Sequence, residues 1–144
     1  MNSICKKYTL KTELIKKFQK IQIDFEDKTL KAIDIGVFPW TNSLEVSFLV
    51  DGDDSPLDDI AAWKYYDYTG FSEGKWEELK SILDEVKQDY EKKGKEYIFK
   101  EVAKIFHSKE LQDIMNLYPK NEDFIIQILD SDEPSSVNYY LQKD

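Results

Sequence analysis

Apolar and polar residues alternate most regularly between Ile33 and Val50. Ile33, Ile35 and Val37 are separated by Asp34 and Gly36; Leu44, Val46 and Phe48 are separated by Glu45 and Ser47. Period-two alternation of β-branched and aromatic side chains predicts two strands with one buried face each. The intervening Phe38-Pro39-Trp40-Thr41-Asn42-Ser43 reads as a hairpin connection, because Pro39 has no N–H for a ladder and Asn42 tolerates turn dihedrals. The acidic run Asp51-Gly52-Asp53-Asp54-Ser55-Pro56 ends the alternation, and a short helix is expected near Leu57–Ala62. Trp63 to Tyr68 then reads as a third strand, aromatic on both faces and so covered on both.

Elsewhere the period changes to that of a helix. Leu10, Leu14, Phe18, Ile21 and Phe25 form one stripe, with Lys11, Lys16, Lys17 and Lys20 mostly opposite. Trp76, Leu79, Leu83, Val86 and Tyr90 form the cleanest stripe, which should face the strands; Ser72 is the expected N-cap. Gly94 predicts a break, since a helix C-terminus favours a left-handed residue there. Ile98, Val102, Ile105 and Phe106 continue in a further helix. Ser108 is placed to cap another, which carries Leu111, Ile114, Met115 and Tyr118 and is ended by Pro119. The apolar run Phe124–Leu129 reads as a strand central in the sheet, and Val137–Leu141 as either an edge strand or a short helix. Strands followed by helices indicate α+β. The expected architecture is a mostly antiparallel sheet of about four to five strands with helices packed on one face, in one domain spanning 1–144.

Charge narrows the function classes. With 20 basic and 29 acidic residues the formal charge is −9, which disfavours nucleic acid and suits a basic partner or simple solubility. All the basic residues are lysine, so the bidentate guanidinium fork used on phosphates is missing. One cysteine, Cys5, rules out an internal disulfide and fits a reducing compartment. Met1 to Lys17 contains no apolar core of a signal peptide, and no run approaches the ~20 apolar residues that span a bilayer. The expectation is a soluble, cytoplasmic protein with no membrane contact.

Catalytic signatures are absent. His107 is the sole histidine, and Phe106 and Ser108 beside it form no nucleophile motif. One His and one Cys cannot make an ordinary zinc site, and no phosphate-binding glycine loop is present. No catalytic residue, metal or cofactor is assigned. The densest charge cluster is Asp51, Asp53, Asp54, Asp58 and Asp59. Gly52 and Pro56 break a calcium-loop pattern there, so a solvated turn-capping loop comes first, a partner-binding surface second and a metal site last. Trp40 and Tyr66, on either side of that loop, are candidate aromatic anchors, and Trp40 is expected to be exposed on its hairpin.

The segments IDIGVFPWTNSLEVSFLVDGDD, AAWKYYDYT and DFIIQILDSDE, with the Pro39-Trp40 turn and Trp63-Lys64-Tyr65-Tyr66, resemble small bacterial proteins encoded near polymorphic toxin genes and held to be immunity proteins. The resemblance spans the pattern of residues 10–133 and carries no catalytic residue with it. It implies a non-enzymatic protein that binds and neutralises a cognate toxin domain, with acidity matched to a basic target. Two other classes stay open. One is a small carboxylate-dependent hydrolase, and the other a regulatory or adaptor module with a small-molecule pocket. A water-exposed acidic and aromatic face would favour binding, and a closed polar pocket an enzyme.

Overall fold

The computed structural model describes the backbone of residues 3–142 and the side chains of residues 10–142, so Cys5 lies outside the described side chains. Helix α1 (Ser3–Ile21) leads through a short 3-10 turn into β1 (Leu30–Phe38), and a hairpin joins β1 to β2 (Ser43–Val50). A long irregular segment precedes helices α2 (Glu77–Lys93), α3 (Lys95–Phe106) and α4 (Lys109–Met115), after which β3 (Lys120–Gln127) returns to the sheet. The chain is therefore α+β, with its helices on one side of the sheet.

The helical stripes bury as their spacing dictates. Leu10, Leu14, Phe18 and Ile21 are buried on α1, and Leu79, Leu83 and Val86 on α2, with Trp76 buried just before it. These side chains meet Ile33, Ile35 and Val37 of β1 and Leu44, Val46, Phe48 and Val50 of β2 in one core. Phe48 is its aromatic centre, stacked on Phe25 at 4.3 Å between ring centroids and near-parallel to Tyr118 at 6.2 Å. Gly94 takes φ +87 and separates α2 from α3, and the Ser108 hydroxyl accepts the Leu111 N–H at the start of α4.

Four expectations are corrected. First, the sheet has three strands in the order β2-β1-β3, and it is mixed, with β1–β2 antiparallel and β1–β3 parallel. Second, Trp63 to Tyr68 is not a strand. It forms one isolated bridge, Phe48 to Tyr65, and Asp67 at φ +47 breaks the extended course. Its aromatics still cover both faces, because the segment wraps the β2 edge. Trp63 packs with Ala32 and Leu49, while Tyr65 and Tyr68 meet Phe25 on the other side. Third, β3 is an edge strand; its apolar run records cover on both faces, not a central position. Fourth, Ser72 lies in a 3-10 turn and bonds Asp67 through its hydroxyl and N–H, whereas α2 begins at Glu77.

The other two unsettled stretches form short 3-10 turns, Ile60–Ala62 and Tyr139–Leu141. Among the described residues no helix is long and apolar enough to cross a membrane.

Candidate functional site

The helices cover one face of the sheet, and the other face carries the candidate site. In register across β1 and β2, that face presents Ala32 opposite Leu49, Asp34 opposite Ser47, and Gly36 opposite Glu45. β3 extends the rows, with Ile125 beside Ala32 and Gln127 beside Asp34. One end is sealed by Trp63 and Ile60 over Ala32, Leu49 and Ile125. Beyond that plug the polar rows form the floor of a cleft of about 370 Å³.

Two loops make the walls. The first is the acidic loop after β2. Asp53 organises it: one carboxylate oxygen accepts from the Ser55 N–H and hydroxyl, and the other from the Lys64 N–H at 2.9 Å. These bonds hold the Asp53 carboxyl below the usual carboxylate range, the Ser55 hydroxyl contributing most. The Trp63 indole N–H closes the loop onto the Pro56 carbonyl at 3.0 Å. Asp58, Ile60 and Tyr66 face the cleft from this side.

The second wall is the segment after β3. Asn138 anchors it by donating to the Ile126 carbonyl and accepting the Ile128 N–H, so its amide continues the sheet where backbone does not. Leu129, Asp130, Glu133 and Pro134 are thereby brought over the cleft. Asp130 is buried and paired with Lys95 of α3 at 2.8 Å, and this bond raises the Lys95 ammonium pKa.

Asp34 is the unusual group of the floor. It is 6% exposed, and its carboxylate has no hydrogen-bond or ion-pair partner among the described residues. Burial, with a smaller contribution from Glu45, pushes its pKa up to about 7. Water stabilises a carboxylate far better than an apolar surround does, and neither neighbour in the row replaces it. The Ser47 hydroxyl accepts the Asp67 N–H and makes no bond to Asp34, and Gln127 has an unpartnered side-chain oxygen. Glu45 accepts the Tyr66 hydroxyl at 2.7 Å, and this bond, followed by burial, pushes Tyr66 up to about 12. A Cβ on Gly36 would come within 3.0 Å of the Phe38 ring, so glycine lets that ring lie along the floor.

The residues selected from sequence separate into distinct places. Asp58 and Tyr66 line the cleft, and Tyr66 is 42% exposed. Asp51 accepts a bond from Asn121, Asp53 is consumed by its own loop, and Asp54 and Asp59 are exposed on the outside of the wall. Trp40 is half-buried, not fully exposed. It packs edge-on against Phe38 and Tyr90 and lines a separate depression with Gly94 and Lys95. Asp34 and Glu45 were missed; each is the single carboxylate of its strand and reads as an ordinary solvent-facing position of the alternation. Among the described residues no group of three His, Cys, Asp or Glu side chains is arranged to hold a metal ion. No protein-family model, curated protein or solved structure matches the chain.

Proposed function

We propose that this chain is a non-enzymatic binding protein of the immunity type, which neutralises a basic toxin domain by covering it with the helix-free face of its sheet. One observation carries the reading. The cleft gathers Asp34, Glu45, Asp58, Asp130 and Glu133, and no lysine lines it. The chain has twenty lysines, so a cleft without one is not a by-product of composition. Lys95 of α3, outside the cleft lining, offsets Asp130 at 2.8 Å and reaches Glu133 at 3.8 Å, whereas Asp34, Glu45 and Asp58 have no ion pair among the described residues. An anionic concavity lined by the exposed aromatic Tyr66 suits a cationic protein surface in both charge and contact chemistry. In this reading the protein acts in the cytoplasm and needs no cofactor.

The test is co-expression with the product of the neighbouring gene, followed by co-purification at low and high salt. A complex that forms, protects the cell from that product and associates more slowly as salt rises supports the reading. Failure to form any complex, with no protection, overturns it.

A second reading, a carboxylate-dependent hydrolase, is favoured by Asp34, a carboxyl near neutrality in a cleft that it shares with Glu45, since a proton-transfer group works best near the operating pH. Substrate turnover abolished by Asp34→Asn would support it over the binding role.

A further inference from the structure

We infer that the cleft is the receptor for one cationic side chain of the protein partner, whose charged end meets Asp34 and whose hydrocarbon stem lies against Phe38, Ile60 and Pro134. The inference rests on the binding role proposed above and adds the chemistry of the inserted group.

Three observations converge. Asp34 is buried, faces the cleft and lacks a partner, so the floor has an acceptor with no donor. Removing a carboxylate from water is costly unless a cation and hydrogen bonds replace the solvent. The neighbouring oxygens are acceptors too: Glu45 already accepts the Tyr66 hydroxyl, and the Gln127 side-chain oxygen in the same row is unpartnered. The missing group is therefore a donor, and the surrounding charge selects a positive one. Finally, about 370 Å³ lies near the small end of ligand sites, which span roughly 300–1,000 Å³. That volume admits a side chain and excludes a large cofactor. Apolar Phe38, Ile60, Leu129 and Pro134 around the acidic floor match an aliphatic stem with a charged tip.

Insertion of a cation favours the charged form of Asp34, which is largely protonated below neutrality. Binding therefore releases a proton and strengthens as pH rises through 7. The charged and titratable groups facing Asp34 are Glu45 from β2, Asp58 and Tyr66 from the first wall, and Asp130 and Glu133 from the second. Asp130 is already paired with Lys95, which also reaches Glu133 at 3.8 Å. All the unpaired carboxylates add attraction for the same cation.

The experiment has two arms. In the first, the full chain is titrated with n-butylammonium, N-butylguanidinium and neutral butylurea, with the Asp34 carboxyl carbon and backbone amides followed by NMR. The expected result is saturable shifts at Asp34, Gly36 and Glu45 with either cation, none with butylurea, and a downward move of the Asp34 titration midpoint. Asp34→Asn should weaken cation binding at least ten-fold, and Asp54→Asn, outside the cleft, less than two-fold. Shifts scattered over the acidic surface, equal for butylurea or unchanged in Asp34→Asn, overturn the proposal. In the second arm, affinity for the cognate partner should fall at least ten-fold in Asp34→Asn. An unchanged complex overturns the side-chain receptor and leaves the binding role standing, whereas no complex with the wild type removes the binding role itself.

Discussion

Asp34 and Ser47 stand opposite one another in the β1–β2 register, and only Ser47 has a partner, the Asp67 N–H at 2.8 Å. This asymmetry sets the character of the helix-free face. Ser47 fixes the segment that wraps the β2 edge, and Asp34 is left without a protein partner on the floor of a cleft.

The first prediction is a pH-dependent gain from Asp34→Asn. Below about pH 4 the carboxyl is protonated in both the folded and unfolded chains and contributes no difference. Between about pH 4 and 7 the folded chain keeps a proton that the unfolded chain has lost, so stability falls as pH rises; above 7 the loss is complete. Asparagine has no such titration. The variant should gain on wild type by an amount that grows across this window to on the order of 4 kcal/mol. Urea melts of both proteins at pH 4.5, 6 and 8 measure it, and a difference independent of pH contradicts the account.

The second prediction concerns the core. Leu83 is 3% exposed on the α2 face packed toward the sheet, and Leu83→Ala should cost about 2–5 kcal/mol. Chemical denaturation showing a loss below ~1 kcal/mol would mean that α2 does not pack as described.

A third prediction isolates one buried hydrogen bond. The Tyr118 hydroxyl donates to the Phe18 carbonyl at 2.6 Å inside the aromatic core. Tyr118→Phe keeps the ring beside Phe48 and removes only the hydroxyl donor, so it should cost about 1–2 kcal/mol in urea denaturation with the backbone circular dichroism unchanged. A neutral effect on stability contradicts that role.

The fourth separates the architecture of the acidic loop from its charge. Asp53 holds the loop through the Ser55 and Lys64 N–H groups, whereas Asp54 is exposed. Asp53→Ala should speed hydrogen exchange at both amides, and Asp54→Ala should leave them unchanged. Equal exchange in the two variants would remove the structural role of Asp53.

These contrasts show what the residue pattern reveals and what it hides. Helix stripes such as Leu79, Leu83 and Val86 are legible because periodicity reports burial directly. The aromatics of Trp63 to Tyr68 also correctly indicate cover on both sides, but periodicity does not distinguish a strand from a segment folded around a sheet edge. Asp34 reads as a polar position on a solvent-facing strand, and nothing near it foretells cover. That cover comes from Asp130, Glu133 and Pro134, about a hundred positions later, held there by Asn138. The Asp51–Asp59 cluster is visible as charge, yet the backbone decides that Asp58 faces the cleft while Asp53 is spent on the loop.

The most direct test of the central claim is the association rate with the neighbouring gene's product for two charge reversals of equal size. Glu45→Lys changes the cleft, and Glu85→Lys changes a residue of α2 on the other side of the sheet. If the helix-free face is the interface, Glu45→Lys should slow association at least ten-fold at low salt and Glu85→Lys less than three-fold, with the gap narrowing as salt rises. Equal rates for the two variants, or a larger effect at Glu85, would contradict the assignment of the acidic cleft as the binding face.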